Sequence, residues 1–292
     1  MRKKIPLVDP DFSGNEIIYL KECIDSKWIS ANGDYVDRFE KHFSQFHGGI
    51  NATTVSNGTV ALHLALVALD IRPGDEIIVP SFTYIATVNA IRYVGATPIL
   101  VDVDSESFNI SCKAIKKVIT TKTKALIVPH LYGQPADMDE IMKIINRYGL
   151  RLVEDCAEAL GSDFKGQKIG TFGDISIFSF FGNKMITTGE GGMILCKNNQ
   201  LMKKINMLKN QGTSNKIRYY HEILGYNYRM TNLQAAIGCA QMERVDDFID
   251  KHIQNAIIYR KYLSNNDNFI LPKLYKERKN SYWLFTLKIK DI

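Results

Sequence analysis

From Thr54 to Cys196 the chain repeats one pattern: a short uninterrupted apolar run, a turn, then a segment with helical periodicity. The runs Glu76-Ile-Ile-Val79, Pro98-Ile-Leu-Val101, Ala125-Leu-Ile-Val128 and Arg151-Leu-Val-Glu154 lack polar alternation. A strand with one face in water alternates, whereas one that is apolar on both faces must be covered on both. Val60–Leu69, Tyr84–Tyr93, Lys113–Ile119 and Met138–Tyr148 read as the covering helices, the first capped by Thr59. The pattern predicts an α/β chain, a doubly wound and mostly parallel sheet flanked by helices.

Ile175–Phe180 and Gly192–Cys196 continue as strands, and Leu201–Asn210 as a helix. Leu233 to about Leu263 reads as a long helical stretch interrupted near Asp246-Asp247, and Tyr282–Ile289 as a strand that opens something new. We therefore expect a large domain over 1–245 and the start of a smaller, incomplete one over 246–292. The 292 residues fit about two domains at roughly 150 residues each. The longest nearly apolar stretch, Ala61 to Leu69, is about half of what a membrane span needs. Met1-Arg2-Lys3-Lys4 looks like the start of a signal peptide, but Pro6, Asp9 and Asp11 replace the apolar segment that should follow. The five cysteines lie at least 40 residues apart, which argues against a zinc site or a disulfide framework and fits a reducing cytoplasm. The net charge of +6 is scattered over helix faces and turns, without the clustered basic and aromatic stripe of a nucleic-acid binder.

In open α/β sheets ligands bind beyond the carboxyl ends of the strands. Ser56-Asn57-Gly58-Thr59 opens a helix there, a generic anion cradle of backbone N–H groups plus the Thr59 hydroxyl. No GxGxxG follows a strand and no GxxxxGK[ST] is present, so dinucleotide and P-loop chemistry lose their support. Asp155 ends the strand that begins at Arg151; a carboxylate fixed there can keep a heteroaromatic nitrogen protonated. Lys184 sits between two apolar strands, beside aromatics and a Gly-rich turn; partial desolvation would lower its pKa and suit it to Schiff-base formation. A phosphate cradle, a strand-end Asp, then a Lys after a Ser-containing strand is the order of a pyridoxal phosphate site.

Five segments carry a wider likeness: Thr54-Val-Ser-Asn-Gly-Thr-Val-Ala-Leu-His63, Val79-Pro-Ser-Phe-Thr-Tyr84, Val153-Glu-Asp-Cys-Ala-Glu158, Phe178–Gly192 and Tyr226-Asn-Tyr-Arg-Met-Thr-Asn232. With these, the chain resembles the DegT/DnrJ/EryC1/StrS aminotransferases that act on nucleotide-linked keto-sugars, from about Ile5 to Phe285. The resemblance implies the aspartate-aminotransferase-like fold (fold type I) and a homodimer with shared active sites. It implies Lys184 as Schiff-base lysine and proton carrier, Asp155 as partner of the pyridine nitrogen and Tyr84 stacked on the ring. Gly58, Thr59 and Ser179 would hold the phosphate, Glu158 would sit near the 3-hydroxyl edge, and Asn227 would reach the phosphate in the neighbouring subunit. Relatives that dehydrate the sugar carry His where Lys184 stands, so amino transfer from glutamate to C4 of a 4-keto-6-deoxysugar is the implied reaction, with no metal. GDP, UDP and dTDP sugars all remain open. Family chains continue beyond this one, so an exposed apolar patch is expected where that segment packs, and a non-catalytic scaffold is the competing reading.

Overall fold

The computed structural model describes residues 6, 8–214 and 216–290; the basic start over residues 1–4 lies outside them. The chain begins with α1 (Glu16–Ser26) and α2 (Asp34–Phe46), then runs through β1 (Asn51–Val55), α3 (Gly58–Ala68), β2 (Glu76–Pro80), α4 (Ile85–Tyr93) and β3 (Thr97–Val101). It continues with α5 (Cys112–Val118), β4 (Thr123–Pro129), α6 (Met138–Tyr148), β5 (Arg151–Asp155) and two short strands, β6 (Asp163–Phe164) and β7 (Gln167–Lys168). After β8 (Ile175–Ser179) and β9 (Gly192–Cys196) come α7 (Asn199–Lys209), α8 (Asn232–Met242) and α9 (Val245–Leu263). Three two-residue strands follow: β10 (Phe269–Ile270), β11 (Arg278–Lys279) and β12 (Lys288–Ile289).

Seven strands form one sheet in the order β1-β9-β8-β5-β4-β2-β3. Of these, only β9 runs against its neighbours, pairing antiparallel with both β1 and β8. Side chains alternate across the sheet, and both sides are buried. Ala125, Ile127, Val153, Ile177 and Ile194 face the core under α3, α4 and α7. Leu126, Val128, Leu152, Phe178 and Met193 face the other core, which holds α2, α5, α6 and α8. That double burial is why the strands read as continuous apolar runs. The second core centres on Phe39, Phe43, Phe178 and Phe180, whose rings meet at centroid distances of 4.9 to 6.3 Å.

Local chemistry sets the helix ends. α6 starts at Asp137, whose side chain accepts from the Glu140 N–H, and stops at Gly149 in the left-handed region. α3 begins one residue before the expected cap. Asn57, not Thr59, is the cap: its backbone is extended and its side chain accepts from the Val60 N–H. The long C-terminal helix breaks at Glu243-Arg244, and Asp246 and Asp247 instead occupy the first turn of α9, where carboxylates suit the helix dipole. Nor is Tyr282–Ile289 one strand. Only Lys288–Ile289 pairs, with Phe269–Ile270. Tyr282 takes a positive φ of 53° that ends an extended run. Ile257, Ile258, Tyr259 and Tyr262 are exposed along α9. No described helix is long and apolar enough to cross a membrane.

One glycine in the sheet has no room to change. A Cβ on Gly192 would lie 2.8 Å from the Asn57 carbonyl and 3.0 Å from the Phe178 oxygen, both backbone atoms. Gly192→Ala should therefore cost about 1–3 kcal/mol through overpacking. Thermal unfolding of the variant checks this; an unchanged midpoint would contradict it.

Candidate active site

The ends of β4, β5 and β8 meet the N-terminus of α3 around a cavity of about 550 Å³. Gly58, Thr59, Tyr84, Asp155, Glu158, Ser179 and Lys184 all line it, seven of the eight residues picked out above. Asn227 does not. It is exposed, and its side-chain oxygen accepts from Arg229 Nε at 3.1 Å.

Lys184 lies in the loop after β8, its backbone N–H donating to the Phe181 carbonyl. Its side chain is 13% exposed; Nζ lies 3.8 Å from Glu158 Oε1 and 3.8 Å from the centre of the Trp283 ring. Burial pulls the ammonium below the ordinary lysine range, with the carboxylates of Glu158 and Asp155 opposing it. Asp155 is buried at the end of β5 and accepts from the Thr87 hydroxyl at 2.8 Å and the Ala157 N–H at 3.2 Å. Burial pushes its pKa up, against those two bonds. A cationic partner would relieve that cost, and a protonated ring nitrogen is one.

At the other end of the cavity, the first N–H groups of α3 have no acceptor within the helix. A Cβ on Gly58 would sit 2.9 Å from Ser179 Cβ, so the glycine is what lets the end of β8 close onto the helix start. N–H groups, two hydroxyls and a helix dipole there suit an anion. Tyr84 is the residue before α4 and 71% exposed, with its ring at the cavity. A buried amine, a buried acid and an anion seat on one cavity fit the three reactive parts of pyridoxal phosphate.

Five further groups complete the site. Thr87 bonds Asp155, and the Tyr132 N–H donates to Glu158 Oε2 at 2.8 Å. Tyr132 has a left-handed backbone, φ 56°. Trp283 covers the amine and donates from Nε1 to the Asn183 carbonyl at 2.6 Å. The Asn183 side-chain oxygen is buried without a partner among the described residues. His130 also lines the cavity; its Nδ1 accepts from the Ala136 N–H, which assigns the proton to Nε2, facing Glu154 at 3.3 Å. Little in the local sequence pattern marks these. The Leu131-Tyr-Gly-Gln-Pro135 turn residues mark a bend, and Trp283 lies in the weakly patterned stretch that reads as a strand.

His130, Glu154 and Cys156 offer donor atoms within 4.8 Å of one another. Glu154 is already saturated, accepting from the N–H groups of Gly170, Phe172 and Gly173 and from the Ser176 hydroxyl. Glu154 and His130 thus form a closed hydrogen-bond network at the cavity wall.

With this sheet order, a buried lysine and a strand-end acid sharing one cavity put the chain among the fold type I, pyridoxal phosphate-dependent aminotransferases. The comparisons with known proteins agree. The chain belongs to the DegT/DnrJ/EryC1/StrS aminotransferase family, whose model matches residues 10–291. It is 50% identical to the GDP-perosamine synthase of Escherichia coli O157:H7 over 288 residues, 98% of this chain and 78% of that protein. The GDP-perosamine synthase of Vibrio cholerae is also 50% identical, over 287 residues, 97% of this chain and 77% of the relative. Among solved structures, a GDP-4-keto-6-deoxymannose-3-dehydratase with bound GDP-perosamine matches with a TM-score of 0.92 at 28% identity, covering 98% of this chain and 80% of that one.

Proposed function

We propose that the chain moves an amino group from glutamate to C4 of a GDP-linked 4-keto-6-deoxysugar, with Lys184 as the covalent partner of pyridoxal phosphate. The observation that carries this reading is the placement of the Lys184 amine and the Asp155 carboxylate on one cavity, beside the α3 N-terminus. The half-identical GDP-perosamine synthases support the choice of sugar and nucleotide.

When bound, the cofactor supplies an electron sink for the carbanion at the donor's Cα and carries the amino group between substrates. The chain's residues do the rest. Asp155 would hold the positive charge at the ring nitrogen, in a site where burial makes such a pairing strong. The N–H groups of Gly58 and Thr59, with the hydroxyls of Thr59 and Ser179, would hold the phosphate. Tyr84 would cover the ring and Glu158 would hold its 3-hydroxyl; both line the cavity. Lys184 Nζ would take the proton from the donor's Cα and deliver it to the cofactor's C4′, and run the reverse transfer on the acceptor side; burial pulls the ammonium down, in the direction that task needs. Asn227, exposed and outside its own cavity, is available to a second copy's phosphate, so we read the working unit as a homodimer.

Two measurements test this. Borohydride reduction after adding pyridoxal phosphate should leave an adduct on Lys184, located by mass. With glutamate, the protein should aminate the GDP-linked 4-keto-6-deoxyhexose in preference to its UDP and dTDP counterparts. No adduct sinks the cofactor assignment. An adduct with a UDP or dTDP preference moves only the nucleotide.

A further inference from the structure

The amine of Lys184 is held from two sides by groups that come from distant parts of the chain. On one side the indole of Trp283 lies over Nζ at 3.8 Å; on the other is Glu158 Oε1, also at 3.8 Å. Both sides are fixed by bonds that do not involve the lysine side chain. Glu158 is anchored through Oε2 by the Tyr132 N–H at 2.8 Å, so Oε1 alone is turned to the amine. Trp283 is anchored by its bond to the Asn183 carbonyl and by the segment before it. In that segment the Ser281 N–H donates to Ser162 Oγ, Asn280 Nδ2 donates to Gln134 Oε1, and Ser162 Oγ donates to the Gly133 carbonyl. Gly133 has no room for a Cβ, which would lie 2.8 Å from both Asn280 Oδ1 and the Tyr282 nitrogen. One clamp thus sets the loop carrying Tyr132 and the segment carrying Trp283.

Asp155 makes no salt-bridge contact with the lysine, which has its contact with Glu158. Its two oxygens are engaged by Thr87 and the Ala157 N–H. The other titratable groups at or near the cavity are His130, Glu190 and the phenols of Tyr84, Tyr93 and Tyr132. Both His130 ring nitrogens are occupied, by Ala136 and Glu154. Among the described residues, only Glu158 has a salt-bridge contact to Lys184 Nζ.

We infer that Glu158 is a catalytic proton partner of Lys184: Oε1 takes a proton from the Lys184 ammonium and gives it back, while Trp283 keeps the amine against it. In the forward step one N–H bond of the ammonium breaks and an O–H bond forms on the carboxylate, leaving a neutral amine and a neutral acid. The reverse step restores both charges. Burial favours this exchange, since it pulls the lysine down and pushes Glu158 up, towards each other. The 3.8 Å gap is longer than a transfer distance, and gaps of this kind commonly tighten once substrate is bound. The role rests on the proposed aminotransferase reading and adds to it. Beyond lying beside the cofactor, Glu158 sets how much of the released lysine is free base.

The test uses Glu158→Gln, which keeps the shape and the bond to the Tyr132 N–H. First, competitive acetylation of the cofactor-free protein, read at Lys184 by mass across pH, should give a midpoint about one unit lower in the variant, because a carboxylate partner is lost. Second, kcat for amino transfer should fall roughly 10²-fold or more, with KM changed only a few-fold. Third, Glu158→Gly should lose activity similarly and regain part of it with added formate, in a concentration-dependent way. An unchanged acetylation midpoint, a kcat within threefold of the parent, or no formate response would each overturn the inference. Because the acetylation is read without cofactor, its failure is distinct from the absence of a borohydride adduct, which would sink the aminotransferase reading instead.

Discussion

Lys184→Ala should abolish the borohydride-trapped adduct and lower amino transfer by at least roughly 10²–10⁴-fold, the range for losing a positioned acid–base group alone. Loss of the covalent link adds to this. The side chain is 13% exposed and its contacts are the Glu158 carboxylate and the Trp283 ring, so its removal leaves the cores untouched. Thermal unfolding of the cofactor-free protein should therefore be nearly unchanged. If adduct and activity survive in Lys184→Ala, another amine does the chemistry and the site has been misread.

The second large effect belongs to stability. Glu154 is fully buried and takes three backbone N–H groups, the Ser176 hydroxyl and the His130 ring. Burial alone would push its pKa up, yet His130 and the N–H groups of Gly173 and Gly170 hold it below its ordinary value of 4.5. Glu154→Leu removes the acceptor and strands all of those donors in an apolar interior. The expected loss is about 3–5 kcal/mol, the scale for breaking a buried charged network, read as a lower denaturant midpoint. The sign with pH follows from the lowered folded value. The carboxylate's contribution is present above 4.5 and is lost as pH falls through the folded pKa. The gap between the parent and Glu154→Gln should therefore narrow on acidification below about pH 4.5. A variant within 1 kcal/mol of the parent at neutral pH would refute the account.

The parallel sheet was legible because its strands are apolar on both faces and its helices carry local signals. Met138–Tyr148 is marked by Asp137 before it and Gly149 after it, and its limits match. α1 and α2 lie outside the strand–helix repeat, although Tyr35, Phe39 and Phe43 recur every four residues and form the buried stripe of α2. Short-range pattern failed at 280–289 because what shapes that stretch is non-local: bonds to Ser162 and Gln134, more than 100 positions away. The site divides the same way. Lys184, Asp155 and the Gly58-Thr59 turn each sit beside a strand or helix end that the sequence announces. Thr87 and Trp283 reach the cavity, and the Tyr132 N–H reaches Glu158, only through the tertiary fold, and no spacing rule joins them to Lys184.

Trp283 has a use apart from chemistry. The chain has two tryptophans, and the other, Trp28, is 59% exposed in the segment after α1. With Trp28 replaced by Phe, the remaining indole emits from directly above the reactive amine. Its emission then becomes a built-in optical gauge of occupancy, dimming as a light-absorbing group attaches to the neighbouring nitrogen and recovering as it leaves.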